Sequence, residues 1–256
     1  MNKSLSPPGL VAFLAFFAFS VFSVPSSAQQ LRLICEDTPP MQFKAPDGSL
    51  TGLTVEVVQE IQKRVGNTDP IQMLPWARGL KMLNEEPNTV LFTMARTAER
   101  NDLYQWVGPV SEEIMGLYAK ADSPLRIKTL DDAKKVRAIG VYRNDIRDQY
   151  LTNKGFTNLY RVIEAAQNYK MLMLGRIDLL ASSEGDVAGS KFKGLKMVFP
   201  LMTTQMFIAM NQETDPTVVA KWNEALTTMK ADGTFKAIYH KYYPDRNLPG
   251  PAITKF

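Results

Sequence analysis

From Thr54 onward the apolar residues Val55, Val58, Ile61 and Val65 recur at spacings of three and four, with Glu56, Gln59, Glu60 and Lys63 between them. That periodicity predicts an amphipathic helix that ends at Gly66. Ahead of it, Leu31-Arg-Leu-Ile-Cys35 reads as a strand, Pro39-Pro40 forces a loop, and Asp47-Gly48 signals a turn. A second strand is expected over residues 71–74. A helix follows over 78–83 with Leu80 and Leu83 inward, then a third strand over 89–93. The first hundred residues therefore predict β-α-β-α-β, the pattern of a parallel sheet covered by helices.

The pattern returns without any sequence repeat. Strands are expected over 137–142, 158–163 and 177–181. Asn144-Asp145 is placed to cap a helix, and a second helix over 164–174 stops at Gly175. Two helices, over 217–230 and 234–241, flank Asp232-Gly233 and precede a tail containing Pro and Gly. Two small α/β lobes imply a cleft between them, and loops at the carboxyl ends of parallel strands face a ligand. One wall is then built from residues 36–41, 75–78 and 94–100, the other from 143–145 and 182–185.

Composition narrows the setting. The chain has 256 residues, of which 45% are hydrophobic and 22% charged, which excludes general disorder and sets one or two domains. Lys3 is followed by an apolar run from Leu10 to Val24 and then by Pro25-Ser26-Ser27-Ala28. That is the layout of a secretory signal peptide over residues 1–28, cut after Ala28. The apolar run falls short of the roughly 20 residues a membrane span needs. The mature chain is expected outside the cytoplasm, in the periplasm. Cys35 is the only cysteine, so no intrachain disulfide forms, and beside Ile34 it reads as a small core residue. A net charge of +4, with export, argues against a nucleic-acid partner.

Five local motifs stand in order along the chain. They are Asp47-Gly-Ser-Leu-Thr-Gly52, Thr97-Ala-Glu-Arg100, Trp106-Val-Gly-Pro-Val110, Gly175-Arg-Ile-Asp178 and Ala231-Asp-Gly-Thr234. Together, over about 31–244, they resemble the periplasmic solute-binding proteins of family 3, the polar amino-acid binders of ABC importers. The resemblance implies a type II periplasmic-binding-protein fold: two α/β lobes, each a mostly parallel sheet flanked by helices, with the ligand cleft between. It implies two hinge strands, crossing near Ala119-Lys120 and returning near residues 206–210. Residues 29–120 plus 206–256 would form lobe 1, and 121–205 lobe 2. It also implies a monomer that closes on a small-molecule ligand and is presented to a membrane permease.

The same resemblance assigns the site. Arg100 would hold a ligand carboxylate, and the planar guanidinium fork suits that task. Thr93 would offer a hydroxyl, Trp76 would pack on the ligand, and Arg78 would stand at the cleft mouth or on the helix surface. Arg143 and Asn144 open a helix whose free N–H groups suit a carboxylate; Tyr142 would close over the ligand. Ser183 departs from the family, which usually places an Asp there for the ligand ammonium. Glu184 and Asp37 are candidate substitutes. Ala95 lacks the hydroxyl common at its position, and Thr38 stands where an aromatic is usual. The departures leave an α-amino acid, an amine-free acid, a modified amino acid and a small peptide open as ligands.

Other chemistry is not visible. One His, His240, and one Cys do not make an ordinary zinc site, no catalytic triad can be built, and no phosphate-binding Gly-rich loop is present. No catalytic residue, metal or cofactor is expected. Two alternatives stay open. One is a lyase like the cyclohexadienyl dehydratases, which resemble these binders and for which Glu184 is the candidate acid. The other is a ligand-sensing module for a membrane receptor.

Overall fold

The computed structural model describes Met1, residues 30–189 and residues 193–253. The expected signal segment, apart from Met1, and its cleavage position lie outside the described residues.

In the first lobe β1 (Arg32–Cys35) leads through a small hairpin, β2 (Phe43–Lys44) and β3 (Leu50–Thr51), into α1 (Leu53–Val65), then β4 (Ile71–Met73), α2 (Trp76–Glu85) and β5 (Thr89–Ala95). β6 (Tyr104–Lys120) leaves this lobe. The second lobe follows with α3 (Leu130–Lys134), β7 (Ile139–Tyr142), α4 (Ile146–Asn153), β8 (Leu159–Val162), α5 (Ala165–Met173), β9 (Leu179–Ser183) and α6 (Glu184–Gly189). β10 (Leu195–Asn211) returns, and α7 (Pro216–Ala231) and α8 (Thr234–Tyr242) finish on the first lobe.

The helices start and stop where local chemistry requires. Gly66 sits at φ 72° after α1, the left-handed position that lets its N–H satisfy the Gln62 carbonyl. Asp145 caps α4 by accepting from the Arg147 N–H, and Asp215 caps α7 with Pro216 in its first turn. The α1 face predicted from spacing is the buried one: Val55, Val58 and Ile61 are fully enclosed. They share a core with Trp222, Leu226 and Met229 of α7 and Phe235 and Tyr239 of α8. That packing assigns the C-terminal helices to the first lobe. Leu117, Ala119, Ile139, Val141, Leu151 and Leu179 form the second lobe's core.

Among the described residues, eight of the ten strands make one sheet, in the order β4-β1-β5-β10-β6-β9-β7-β8, and β2 and β3 pair separately. β1 pairs parallel with β4 and β5, and β7 with β8 and β9. β10 is antiparallel to both β5 and β6, and β6 is antiparallel to β9. Each lobe thus holds a parallel trio, and two strands of 17 residues each run through both. The family resemblance gave only crossing points, and the pattern of residues does not show the full strand, because β6 is mostly buried without regular alternation and carries Gly108-Pro109 inside it. The passage between lobes lies at Glu112 and Glu113, opposite Gln205 and Thr204. It precedes the expected Ala119-Lys120, since Leu117 and Ala119 already belong to the second core.

Gly52 shows why the first motif ends in glycine. Its φ is 118°, and a Cβ there would stand 2.5 Å from the Met41 carbonyl oxygen. Gly52→Ala is expected to lower stability by about 1–3 kcal/mol in urea unfolding of the mature chain; an unchanged midpoint would refute the close approach.

Candidate functional site

The ends of several elements converge on one cavity. The first lobe supplies Glu36 after β1, Trp76 at the start of α2, Thr93 on β5 and Arg100 in the turn after it. The hinge strand β6 supplies Glu113. The second lobe supplies Tyr142 at the end of β7, Asp145 and Arg147 at the start of α4, and Ser183, Gly185 and Asp186 at the β9–α6 junction. The cavity volume is about 70 Å³, room for roughly five waters. Anything much larger than a small amino acid requires the lobes to part.

Hydrogen bonds draw the walls together. The Tyr142 hydroxyl donates to Glu36 Oε1 across the cleft. Arg100 Nη2 donates to the Asn144 carbonyl and to Gln149 Oε1, both at 3.2 Å. The Gly185 N–H donates to Glu113 Oε2 at 3.2 Å. A Cβ there would come within 2.8 Å of Glu113 Oε2 and 3.0 Å of the Tyr243 hydroxyl, so a larger residue would push the Glu113 carboxylate aside.

Five of the expected site residues line the cavity: Arg100, Trp76, Thr93, Tyr142 and Ser183. Arg100 is 4% exposed, and its guanidinium carbon lies 5.9 Å from the Trp76 ring centroid. Thr93 donates to Gln42 Oε1 at 2.7 Å. The Trp76 indole N–H is buried and has no acceptor among the described residues.

The other five stand outside the cavity. Asp37, Arg78 and Arg143 are exposed. Asn144, at φ 60°, is exposed too and offers its carbonyl to Arg100. The Asn144 N–H is taken by Asp148 and the Arg147 N–H by Asp145, so carboxylates of the chain itself already occupy that helix start. Glu184 points to the surface and pairs with Arg246 at 2.9 Å. It is not among the residues that line the cavity, where the lyase alternative expected it.

Carboxylates from other positions line the cavity near Ser183. The Ser183 hydroxyl accepts from the Asp186 N–H at 2.9 Å, holding the start of α6. Asp186 brings its carboxylate into the cavity from three residues on, and Glu113 brings another from the hinge. Sequence reasoning missed Glu113, Arg147 and Asp186, and it saw Glu36 only as part of a loop. A signal existed for Glu113: Glu112-Glu113 places two adjacent charges between the apolar runs 106–110 and 114–119.

The charges fall into two groups. Arg147 donates to Asp145 Oδ2 at 3.0 Å and to Asp186 Oδ2 at 2.7 Å, a nearly enclosed triad. Burial by itself would raise the Asp145 carboxyl, but the Arg147 guanidinium outweighs it and holds Asp145 below the usual carboxylate range. Glu36 has no such partner among the described residues, and Glu113 has only the more distant Arg246 guanidinium at 3.7 Å. Burial pushes Glu36 up to about 7 despite hydrogen bonds from Tyr142 and the Trp76 N–H. Burial and then Asp186 push Glu113 up to about 7 against Arg246, the Gly185 N–H and the Tyr243 hydroxyl.

Between about pH 4.5 and pH 7 the folded chain therefore holds protons on these groups that the unfolded chain has lost. Their contribution to stability is full below the ordinary glutamate range and is lost as pH rises through about 7. Glu36→Gln keeps the accepting oxygen and removes the charge. Melting curves from pH 5 to pH 8 are expected to show the variant several degrees more stable than wild type at pH 8, with the gap closing by pH 5. Parallel curves would refute the shift.

Comparison with known proteins follows this geometry. Residues 31–245 match the family model described as bacterial extracellular solute-binding proteins, family 3. The L-cystine-binding protein TcyJ of Escherichia coli (strain K12) is 23% identical over 210 residues, covering 80% of this chain and 79% of that one. Among solved structures, a histidine kinase sensor domain with similarity to periplasmic binding proteins has a TM-score of 0.75. It is 21% identical and covers 83% of this chain and 96% of its own. An ancestral arginine-binding protein bound to arginine has a TM-score of 0.74, with 23% identity, and covers 84% of this chain and 98% of its own.

Proposed function

The chain belongs to the bacterial extracellular solute-binding proteins of family 3, and from that premise we propose that it captures an amino acid or a close relative in the cleft. Export by the signal segment cut after Ala28 places it in the periplasm. There, as a monomer without a cofactor, it delivers its solute to the permease of an ABC importer. One observation carries the ligand class: a buried arginine beside an indole faces a cluster of carboxylates across a small cavity. That is the complement of a zwitterion. TcyJ is named for cystine and the ancestral protein is bound to arginine, both of which carry the α-amino acid group.

Arg100 holds the carboxylate. Its present acceptors, the Asn144 carbonyl and Gln149 Oε1, are neutral, and a charged pair of oxygens is the stronger partner. The unpaired Trp76 N–H offers a further donor, and its ring packs on the rest of the solute. Glu113, Glu36 and Asp186 take the ammonium in place of the acid absent at Ser183. Closing the lobes excludes water and strengthens each of these contacts.

A thermal-shift screen of residues 29–256 against amino acids, small peptides and organic acids tests this. A ligand at about 100 times its Kd adds roughly 2.7 kcal/mol, a rise of roughly 5–10 °C. Arg100→Ala is expected to abolish the shift, and Arg100→Lys to retain part of it, since an ammonium lacks the planar fork. No shift from any α-amino acid, in protein stripped of carried-over solute, would overturn the ligand class. Because ionised glutamates hold the ammonium, affinity measured by calorimetry is expected to rise as pH passes through about 7.

One observation favours a second reading. Glu36 and Glu113, both near pH 7 and both on the cavity wall, have the protonation a general acid needs. A lyase on this fold would use one of them to protonate a leaving hydroxyl. Turnover of prephenate or arogenate, lost in Glu36→Gln or Glu113→Gln, would establish it and displace binding alone.

A further inference from the structure

The family match ends at residue 245, and the chain beyond it lies against the hinge rather than trailing away. Arg246 sits with its guanidinium carbon 4.2 Å from the Tyr243 ring centroid. From there it reaches Glu184 of the second lobe at 2.9 Å and Glu113 of the hinge strand at 3.7 Å. Four residues on, the Gly250 N–H donates to Glu112 Oε1 at 3.0 Å. Gln205 Nε2 donates to the same Glu112 oxygen at 3.0 Å and to the Pro251 carbonyl at 2.9 Å, while its Oε1 accepts from the Ile253 N–H at 2.9 Å. Glu112 and Gln205 face each other in the register of β6 and β10. The segment therefore zips onto the one pair of side chains at which the chain passes between lobes.

Opening the cleft would affect the two ends of this segment differently. Glu112 and Gln205 lie on the paired strands that join the lobes and would keep their register. Glu184 belongs to the second lobe and moves away from α8, which belongs to the first. Opening therefore separates Arg246 from Glu184 while the segment stays anchored at Glu112 and Gln205. Packing of a tail on its own lobe would not account for the contact to Glu184.

We propose that residues 246–253 form a strap across the hinge that holds the two lobes in the closed arrangement, with Arg246 as its tie to the second lobe. The strap goes beyond the binding reading and does not depend on which solute the cleft takes.

Spin labels at Lys81→Cys and Lys154→Cys, exposed on α2 and next to α4, report the gap between the lobes. The native Cys35 is fully buried and stays unlabelled. The distances are measured by pulsed electron spin resonance with no solute added, so the result is separate from any failure to find a ligand. Wild type is expected to show a narrow, short distance. A chain ending at Asp245 and the point variant Arg246→Ala are both expected to shift the population to longer distances. Arg246→Lys, which keeps the charge, should restore part of the short population, and Glu184→Gln should shift it in the same direction as Arg246→Ala. If the shortened chain does not fold, Arg246→Ala decides. An unchanged distribution in Arg246→Ala, or in a folded shortened chain, overturns the strap.

Discussion

Where β6 and β10 pass from one lobe to the other, Glu112 faces Gln205 and Glu113 faces Thr204, and the rest of the molecule is hung from that antiparallel pair. Each parallel trio needs an edge to pair with, and the long strands provide one on either side. The pair also fixes how the lobes face each other, because one ladder of hydrogen bonds runs through both. Only a few residues of each long strand lie between the two cores. A short stretch of that kind can absorb a motion while packed bodies stay rigid. It also explains why a functional carboxylate sits on a strand: at the crossing, Glu113 faces the cleft without belonging wholly to either wall.

The electrostatics of the cleft follow from partial burial. Taking charges out of water is costly unless a partner is present. Arg147 meets that cost for Asp145, whose carboxyl it holds below the usual range, and it also pairs with Asp186. Removing one member of such a set typically costs about 3–5 kcal/mol, because a buried charge is left alone. Glu36 and Glu113 are enclosed with hydrogen-bond donors but no close, fully formed ion pair, and they rise toward neutral pH instead. A site built this way is poised: a cationic group entering it recovers Coulomb energy that the empty cleft lacks. The same poise would serve a proton donor.

Glycine placement shows the same economy of space. Gly52 lets the chain pass under the Met41 carbonyl at the start of α1, and Gly185 lets the second lobe come against Glu113 and Tyr243. One closes a turn within a lobe; the other permits contact between lobes. Neither role is visible from composition, since both depend on what lies across the gap.

The sequence by itself determined the elements that carry a period. Spacings of three and four gave α1, and short apolar runs between turn residues gave most of the strands, because burial on one face leaves its mark on local order. Ordered motifs around Arg100, Gly175 and Asp232 were enough to indicate the family. They also placed Arg100, Trp76, Thr93, Tyr142 and Ser183, which project from the carboxyl ends of strands or just beyond. The length of β6 and β10 was hidden, since neither strand alternates regularly between buried and exposed positions along its length. Asp37, Arg78, Arg143, Asn144 and Glu184 sit beside the right residues in sequence but face elsewhere, because direction at a loop is set by packing. Only the tertiary structure brought Glu113, Arg147 and Asp186 together and returned the C-terminal segment to the hinge. Those contacts join residues far apart in the chain, and nothing local encodes them.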